Sequence, residues 1–169
     1  MKKVILFSSA LIAVMFLFFY QGLFVNQHVL TSNLIGKPLP ELHASSLNAQ
    51  KVSTSSIKGP YVLNIFASWC DTCRHEHDFW VEQSDHYQII GIAYKDQTQK
   101  LQKWLKLYGN PYKLLLVDQN GMQSMRLGVY GTPETYVIDQ KGIVRYRHVG
   151  AMSKYVWQHK ILPILELKS

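Results

Sequence analysis

Cys70 and Cys73 are the only two cysteines in the chain of 169 residues, and they form one C-x-x-C. Two thiols at that spacing can close a structural clip, supply half of a metal site, or cycle between dithiol and disulfide. A clip around so short a loop removes little chain entropy from the unfolded state. A tetrahedral zinc needs two more ligands, which His75 and His77 could offer as C-x-x-C-x-H-x-H. On a helix, however, residues two apart point to different faces, so they cannot easily join both sulfurs around one ion. Haem attachment by this chain would need histidine directly after the second cysteine, where Arg74 stands. Redox cycling asks for a stabilised thiolate with a second thiol in reach.

The surrounding pattern supplies that position. Residues 61–67 are a short, apolar, partly β-branched run that predicts a buried strand ending at Ser68-Trp69-Cys70. From residue 71 to about 83 a helix is expected, with Phe79 and Trp80 on it and Asp71 in its first turn. Cys70 then sits where orphan backbone N–H groups and the helix dipole favour negative charge, which suits a nucleophile. Cys73, about one turn on, is placed to bridge to it and to resolve a mixed disulfide.

Further along, strands are expected at 87–93 and 114–117, separated by a helix over 98–108 with Leu101, Trp104, Leu105 and Tyr108 on one face. Residues 109–111 end that helix, and 118–121 form a turn. A hairpin is predicted from 135–138 and 143–148 around the turn 139–142, and a closing helix over 156–167. Upstream, 42–56 suits a small hairpin. Strands alternating with helices, then a hairpin and helix, predict an α/β fold with a central mixed sheet.

The N-terminus bears on compartment. After Lys2 and Lys3, residues 4–25 contain no charge and are almost unbroken in apolar character, about the 20 residues that cross a bilayer as a helix. The far end of the run lacks the small-residue site of a cleaved signal. A single uncleaved anchor is expected, with the two lysines cytoplasmic and the rest across the membrane. In a bacterium that is the inner membrane and the periplasm, where disulfide chemistry persists. The expected division is a transmembrane anchor over 1–25, a linker over 26–35 and one domain over 36–169. The formal charge of +7 is spread without a basic run, and no nucleic-acid motif is present, which argues against nucleic-acid binding.

The segment Asn64-Ile65-Phe66-Ala67-Ser68-Trp69-Cys70-Asp71-Thr72-Cys73, followed by Gly128-Val129-Tyr130-Gly131-Thr132-Pro133-Glu134-Thr135, resembles the thioredoxin superfamily. More narrowly it is similar to the DsbE/CcmG family, the thioredoxin-like proteins of cytochrome c maturation. Arg74, Glu76 and His77 after the second cysteine, Tyr94-Lys95-Asp96, Trp104-Leu105, Gly109-Asn110-Pro111-Tyr112 and Arg145-Tyr146-Arg147-His148 extend the match. The likeness covers nearly all of residues 36–167.

This resemblance implies a thioredoxin-like fold and a reductant of apocytochrome c cysteines, acting directly or through a maturation partner and recharged by a transmembrane reductase of the DsbD type. It implies that Pro133 is a cis-proline facing the redox pair and that the Thr132 backbone pairs with an extended substrate. Trp69 is expected beside the disulfide. Glu76 and Glu134 match the acidic groups of the family, with Glu76 the better general base because Asn64 stands where ordinary thioredoxins carry a buried aspartate. The family usually has proline where Asp71 or Thr72 lies, so these two are expected to tune the potential. No cofactor beyond the Cys70–Cys73 disulfide and no metal is implied; His75, His77, His148 and His159 are expected as surface or packing residues. Two other readings stay open: a periplasmic reductase serving another pathway, and a membrane-tethered metal-binding or metallochaperone module using the two cysteines.

Overall fold

The computed structural model describes residues 2–23 and 32–167. The chain divides into two compact units, residues 1–31 and 32–169. The first contains helix α1, Lys2–Leu23, 22 residues long, with Phe7, Leu11, Ile12, Phe16 and Phe18 among its exposed apolar side chains. Among the described residues no helix is long and apolar enough to cross a membrane; side chains are described only at 7–8 and 11–20 of α1, a stretch too short by itself. Most of the expected linker, 26–31, and the end of the expected anchor, 24–25, lie outside the described residues. Residues 32–35 form a turn of the second unit, where Leu34 packs on the core and Gly36 N–H donates to Val144 O at 2.8 Å.

The second unit is built on a seven-stranded sheet. Its strands are β1 (His43–Ser45), β2 (Lys51–Ser53), β3 (Tyr61–Phe66), β4 (Ile89–Tyr94), β5 (Leu114–Asp118), β6 (Glu134–Ile138) and β7 (Val144–Val149), in the order β2-β1-β5-β4-β3-β6-β7. Strands β3, β4 and β5 run parallel, whereas β6, β7 and the β1–β2 hairpin pair antiparallel, giving the expected mixed sheet. Helices α2 (Asp71–Ser84) and α3 (Thr98–Tyr108) follow β3 and β4. A closing helix, α5, covers 154–165 and carries a π-helical turn at Trp157–Ile161.

Each inner strand is buried on both faces, which is why β3 and β4 read as apolar runs without alternation. Val62 and Phe66 of β3 pack with Trp80 of α2, Leu101 and Trp104 of α3, and Trp157 and Ile161 of α5. Leu63 and Ile65 point the other way, into a layer with Ile90, Ile92, Leu116, Tyr136 and Leu42. Gly91 lets the Tyr112 ring lie flat on the sheet: a Cβ there would stand 2.7 Å from Tyr112 Cδ1. Tyr112 stacks on Phe66, centroids 4.6 Å apart, and donates to Asn64 Oδ1 at 3.0 Å. The floor beneath the redox helix is thereby fixed.

Two elements escaped the sequence pattern. The short helix α4, Met122–Arg126, follows the turn after β5 where no helix was expected. Buried Asp118 produces it, accepting from Gln123 N, Ser124 N and Ser124 Oγ at 3.1, 2.8 and 2.8 Å and capping the new turn. The closing helix begins two residues before the expected start because Ser153 caps it, its Oγ accepting from Val156 N at 3.2 Å.

Candidate active site

The site opens where β3 delivers the chain to α2. Cys70 is the N-cap of that helix, and its Sγ accepts from Cys73 N at 3.1 Å. A sulfur in this place answers one of the orphan donors of the first turn, so an ionised Cys70 is met by aligned N–H dipoles. The two cysteines form a disulfide, with Cα atoms 5.3 Å apart. Both are buried, Cys70 at 8% and Cys73 at 2% exposure, so only the Cys70 edge faces solvent. Asp71 and Thr72 are exposed on the first turn.

Neighbouring loops hold this mouth in shape. Buried Asp96, after β4, accepts from Ser68 N at 2.6 Å and Ser68 Oγ at 2.8 Å. Lys95, at φ 47°, accepts the Trp69 Nε1–H through its carbonyl at 3.2 Å. Trp69 therefore lies over the loop, 57% exposed, beside the disulfide and not in the core. Across from it the Thr132–Pro133 peptide bond is cis, and Thr132 O is 3.7 Å from Cys70 Sγ. Pro133 is buried and Thr132 half-buried.

Glu76 stands one helical turn beyond Cys73 and is buried, 6% exposed. Its Oε1 accepts from Trp80 Nε1 at 2.8 Å and its Oε2 from Met152 N at 2.6 Å. Burial raises its pKa above the ordinary carboxyl value, and the bonds from Trp80 and Met152, with Asn64 and the His148 charge, work against that rise. Among the described residues Asn64 Nδ2 has no partner at hydrogen-bond geometry, and it acts on Glu76 as a nearby dipole. The Tyr112 hydroxyl, fully enclosed, is pushed well above its usual range by burial and then by the Glu76 charge. A buried carboxyl one turn behind a resolving thiol is a candidate to exchange a proton with it.

Comparison with known proteins agrees with this geometry. The Redoxin family model matches residues 34–160. The thiol:disulfide interchange protein DsbE of Escherichia coli K12 is 44% identical over 142 residues, covering 81% of this chain and 77% of that one. The protein of the same name from Vibrio cholerae is 45% identical over 141 residues, with 81% and 77% covered. The chain belongs to the DsbE/CcmG family of thioredoxin-like thiol:disulfide oxidoreductases. A crystal structure of a thioredoxin-family thiol:disulfide interchange protein from Chlorobium tepidum has the same fold, with a TM-score of 0.63 at 25% identity, covering 76% of this chain and 95% of that one.

In this DsbE-family chain the sequence-predicted residues do not all converge. Cys70, Cys73, Trp69, Thr132 and Pro133 gather at one mouth, and Glu76 lies behind it. Glu134 is fully buried at the start of β6, and Arg147 occupies its carboxylate: Nε and Nη2 reach Oε2 at 2.8 and 2.7 Å. Its other oxygen accepts from Tyr130 N at 3.3 Å. Glu134, expected among the acidic groups of the site, is thus held in an internal ion pair, which offsets the cost of a carboxylate at that depth.

His75 and His77 also point away from the sulfurs. His75 Nδ1 donates to Asp71 O at 2.8 Å, while His77 Nε2 donates to Gly109 O at 3.0 Å and its ring packs on Trp104. Among the described residues no group of three or more His, Cys, Asp or Glu is placed to hold a metal ion. Sequence reasoning missed the structural roles of Asp96 and Arg147. Both act over long sequence separations, and the matched segments Tyr94-Lys95-Asp96 and Arg145-Tyr146-Arg147-His148 were the available signal.

Proposed function

We propose that this oxidoreductase is a reductant anchored by α1 in a bacterial inner membrane, with its redox domain in the periplasm. There it reduces the haem-binding cysteines of apocytochrome c, or those of a partner in its maturation. The observation that carries the reading is the N-capping Cys70, with Asp71 beside it, the cis Thr132–Pro133 bond across from it and buried Glu76 behind Cys73. The similarity to proteins named DsbE supports the substrate class. For the anchor, the support is the uncharged, almost unbroken apolar run of residues 4–25, about the 20 residues that cross a bilayer as a helix.

In the proposed cycle the Cys70 thiolate attacks a substrate disulfide, forming a mixed disulfide and releasing the substrate's other sulfur as thiolate. An extended substrate segment pairs with the Thr132 backbone, and Trp69 flanks it. Glu76 takes the Cys73 proton; the Cys73 thiolate then attacks Cys70, freeing the second substrate thiolate, and the two released thiolates are protonated. Two electrons pass to the substrate and the chain is left as the Cys70–Cys73 disulfide. A dithiol of a transmembrane reductase of the DsbD type restores it by the same exchange in reverse.

Trapping tests this reading. A Cys73→Ser chain expressed in its own cell should accumulate mixed disulfides with apocytochrome c or a maturation partner. Recovery of unrelated periplasmic proteins alone would instead assign it to another reductive pathway.

A further inference from the structure

The connection after β7 touches two parts of the site at once. Gly150 N–H donates to Pro133 O at 2.9 Å, and Met152 N–H donates to Glu76 Oε2 at 2.6 Å. Between them the Ala151 carbonyl receives the His148 Nε2–H at 3.0 Å, which places the ring proton on Nε2. The Ala151 carbonyl and the Met152 N–H are the two ends of one planar peptide unit. His148 is therefore one peptide group away from the buried carboxylate behind the resolving cysteine.

The sheet puts His148 on the correct face for this. Asn64 is in register with Thr135, and Thr135 with His148, so the three side chains form one row across β3, β6 and β7. Asn64 shares its face with Val62 and Phe66, the face that α2 covers. The groups acting on the carboxylate come from each packed element: Trp80 from α2, Asn64 from β3, Met152 from the loop and His148 from β7, while Tyr112, after α3, feels its charge. Among these described groups the imidazole alone can carry positive charge.

We propose that His148 is a positioning residue for Glu76, holding through its Nε2–H the peptide unit whose opposite end is aimed at the carboxylate. A donor on the carbonyl polarises the peptide and strengthens its N–H as a donor. It also fixes the peptide plane in a loop whose Ala151 is exposed and belongs to no helix or strand. Because Gly150 in the same loop holds Pro133 O, the strap keeps the cis-proline edge and Glu76 in one frame.

This inference deepens the reading of Glu76 as the base for Cys73, and rests on it. The full chain in detergent micelles, carrying 13C-labelled glutamate, gives the Glu76 titration directly, assigned with Glu76→Gln. His148→Leu should raise the proton affinity of Glu76 about threefold, the loss expected when one hydrogen bond of modest net strength is removed. His148→Gln, which keeps an N–H donor, should restore most of the difference. In the unsubstituted protein the Met152 amide proton should shift with the Glu76 titration, a measurement that needs no variant to fold. A Glu76 titration unmoved by His148→Leu, or a Met152 amide indifferent to Glu76, overturns the proposal. The base reading is tested separately by Cys73 alkylation in Cys70→Ser with and without Glu76→Gln. If alkylation ignores Glu76 while the titration responds to His148, the base reading falls and the strap stands.

Discussion

Around the sulfurs two local fields oppose each other. The first turn of α2 stabilises a Cys70 thiolate, while exposed Asp71 and buried Glu76 disfavour it by like charge. A less stable thiolate makes the dithiol state less favourable, so on the proposed reading as a reductant the acids bias the pair in that direction. Asp71→Asn should therefore lower the Cys70 pKa and make the potential less negative. Because Asp71 is exposed and screened, the shift should be no more than about 20 mV, measured against a glutathione buffer. Glu76→Gln should move the potential the same way and slow exchange with partner disulfides; a potential unchanged by both substitutions removes acid tuning from the account. His77 offers a different test. Burial lowers its pKa below the usual imidazole value of 6.5, so just below that pH the unfolded chain binds more protons than the folded one. Stability should then rise with pH through that window and fall as pH drops toward the folded value. Melting curves between roughly pH 5 and 7.5 should show this slope, and His77→Gln, which keeps a donor for Gly109 O, should flatten it.

The elements explain which parts of the site could be read in advance. Strand β3, helix α2 and the hairpin β6–β7 were legible because apolar runs, a C-x-x-C at a strand end and the Asp139-Gln140-Lys141-Gly142 turn are local signals. Helix α4 was not, since five residues are too few to show a helical period and its cap comes from Asp118. The pairing of Glu134, expected only as one of the family's acidic site groups, was not legible because its partner Arg147 lies on the next strand, thirteen residues away. That pair ties the cis-proline loop at both ends, since Arg147 Nη2 also donates to Gly128 O at 3.1 Å and its guanidinium lies 5.0 Å from the Tyr130 ring centre. Arg147→Met leaves a buried charge unpaired and should destabilise the domain by about 3–5 kcal/mol in urea melts, whereas adding Glu134→Gln should recover much of the loss. An additive double variant would mean that the two side chains do not act as a pair. Gly91→Ala is the matching test of the floor: the added methyl meets the Tyr112 ring, and overpacking of this kind costs about 1–3 kcal/mol.

At the scale of the whole chain, the division into residues 1–31 and 32–169 separates two physical problems. The second unit closes its own core: Trp80, Phe66, Tyr136 and Leu42 are each at most 1% exposed, and its first turn is tied to Val144 O by Gly36 N–H. All the groups placed at the redox mouth lie within it. The first unit presents exposed apolar side chains along α1, from Phe7 at 82% to Tyr20 at 57%, with no acidic or basic residue beyond Lys3 on the helix. Water solvates such a surface poorly, and on the anchored reading proposed above a bilayer takes its place as solvent. The two problems should therefore come apart in the tube. The full chain should fractionate with membranes and resist carbonate extraction, whereas a chain starting near Ser32 should stay soluble and reduce a model disulfide at a comparable rate. Recovery of the native protein as a soluble, shortened form would replace the anchor by a cleaved leader. Loss of redox activity from the shortened chain would mean instead that residues before Ser32 contribute to the domain.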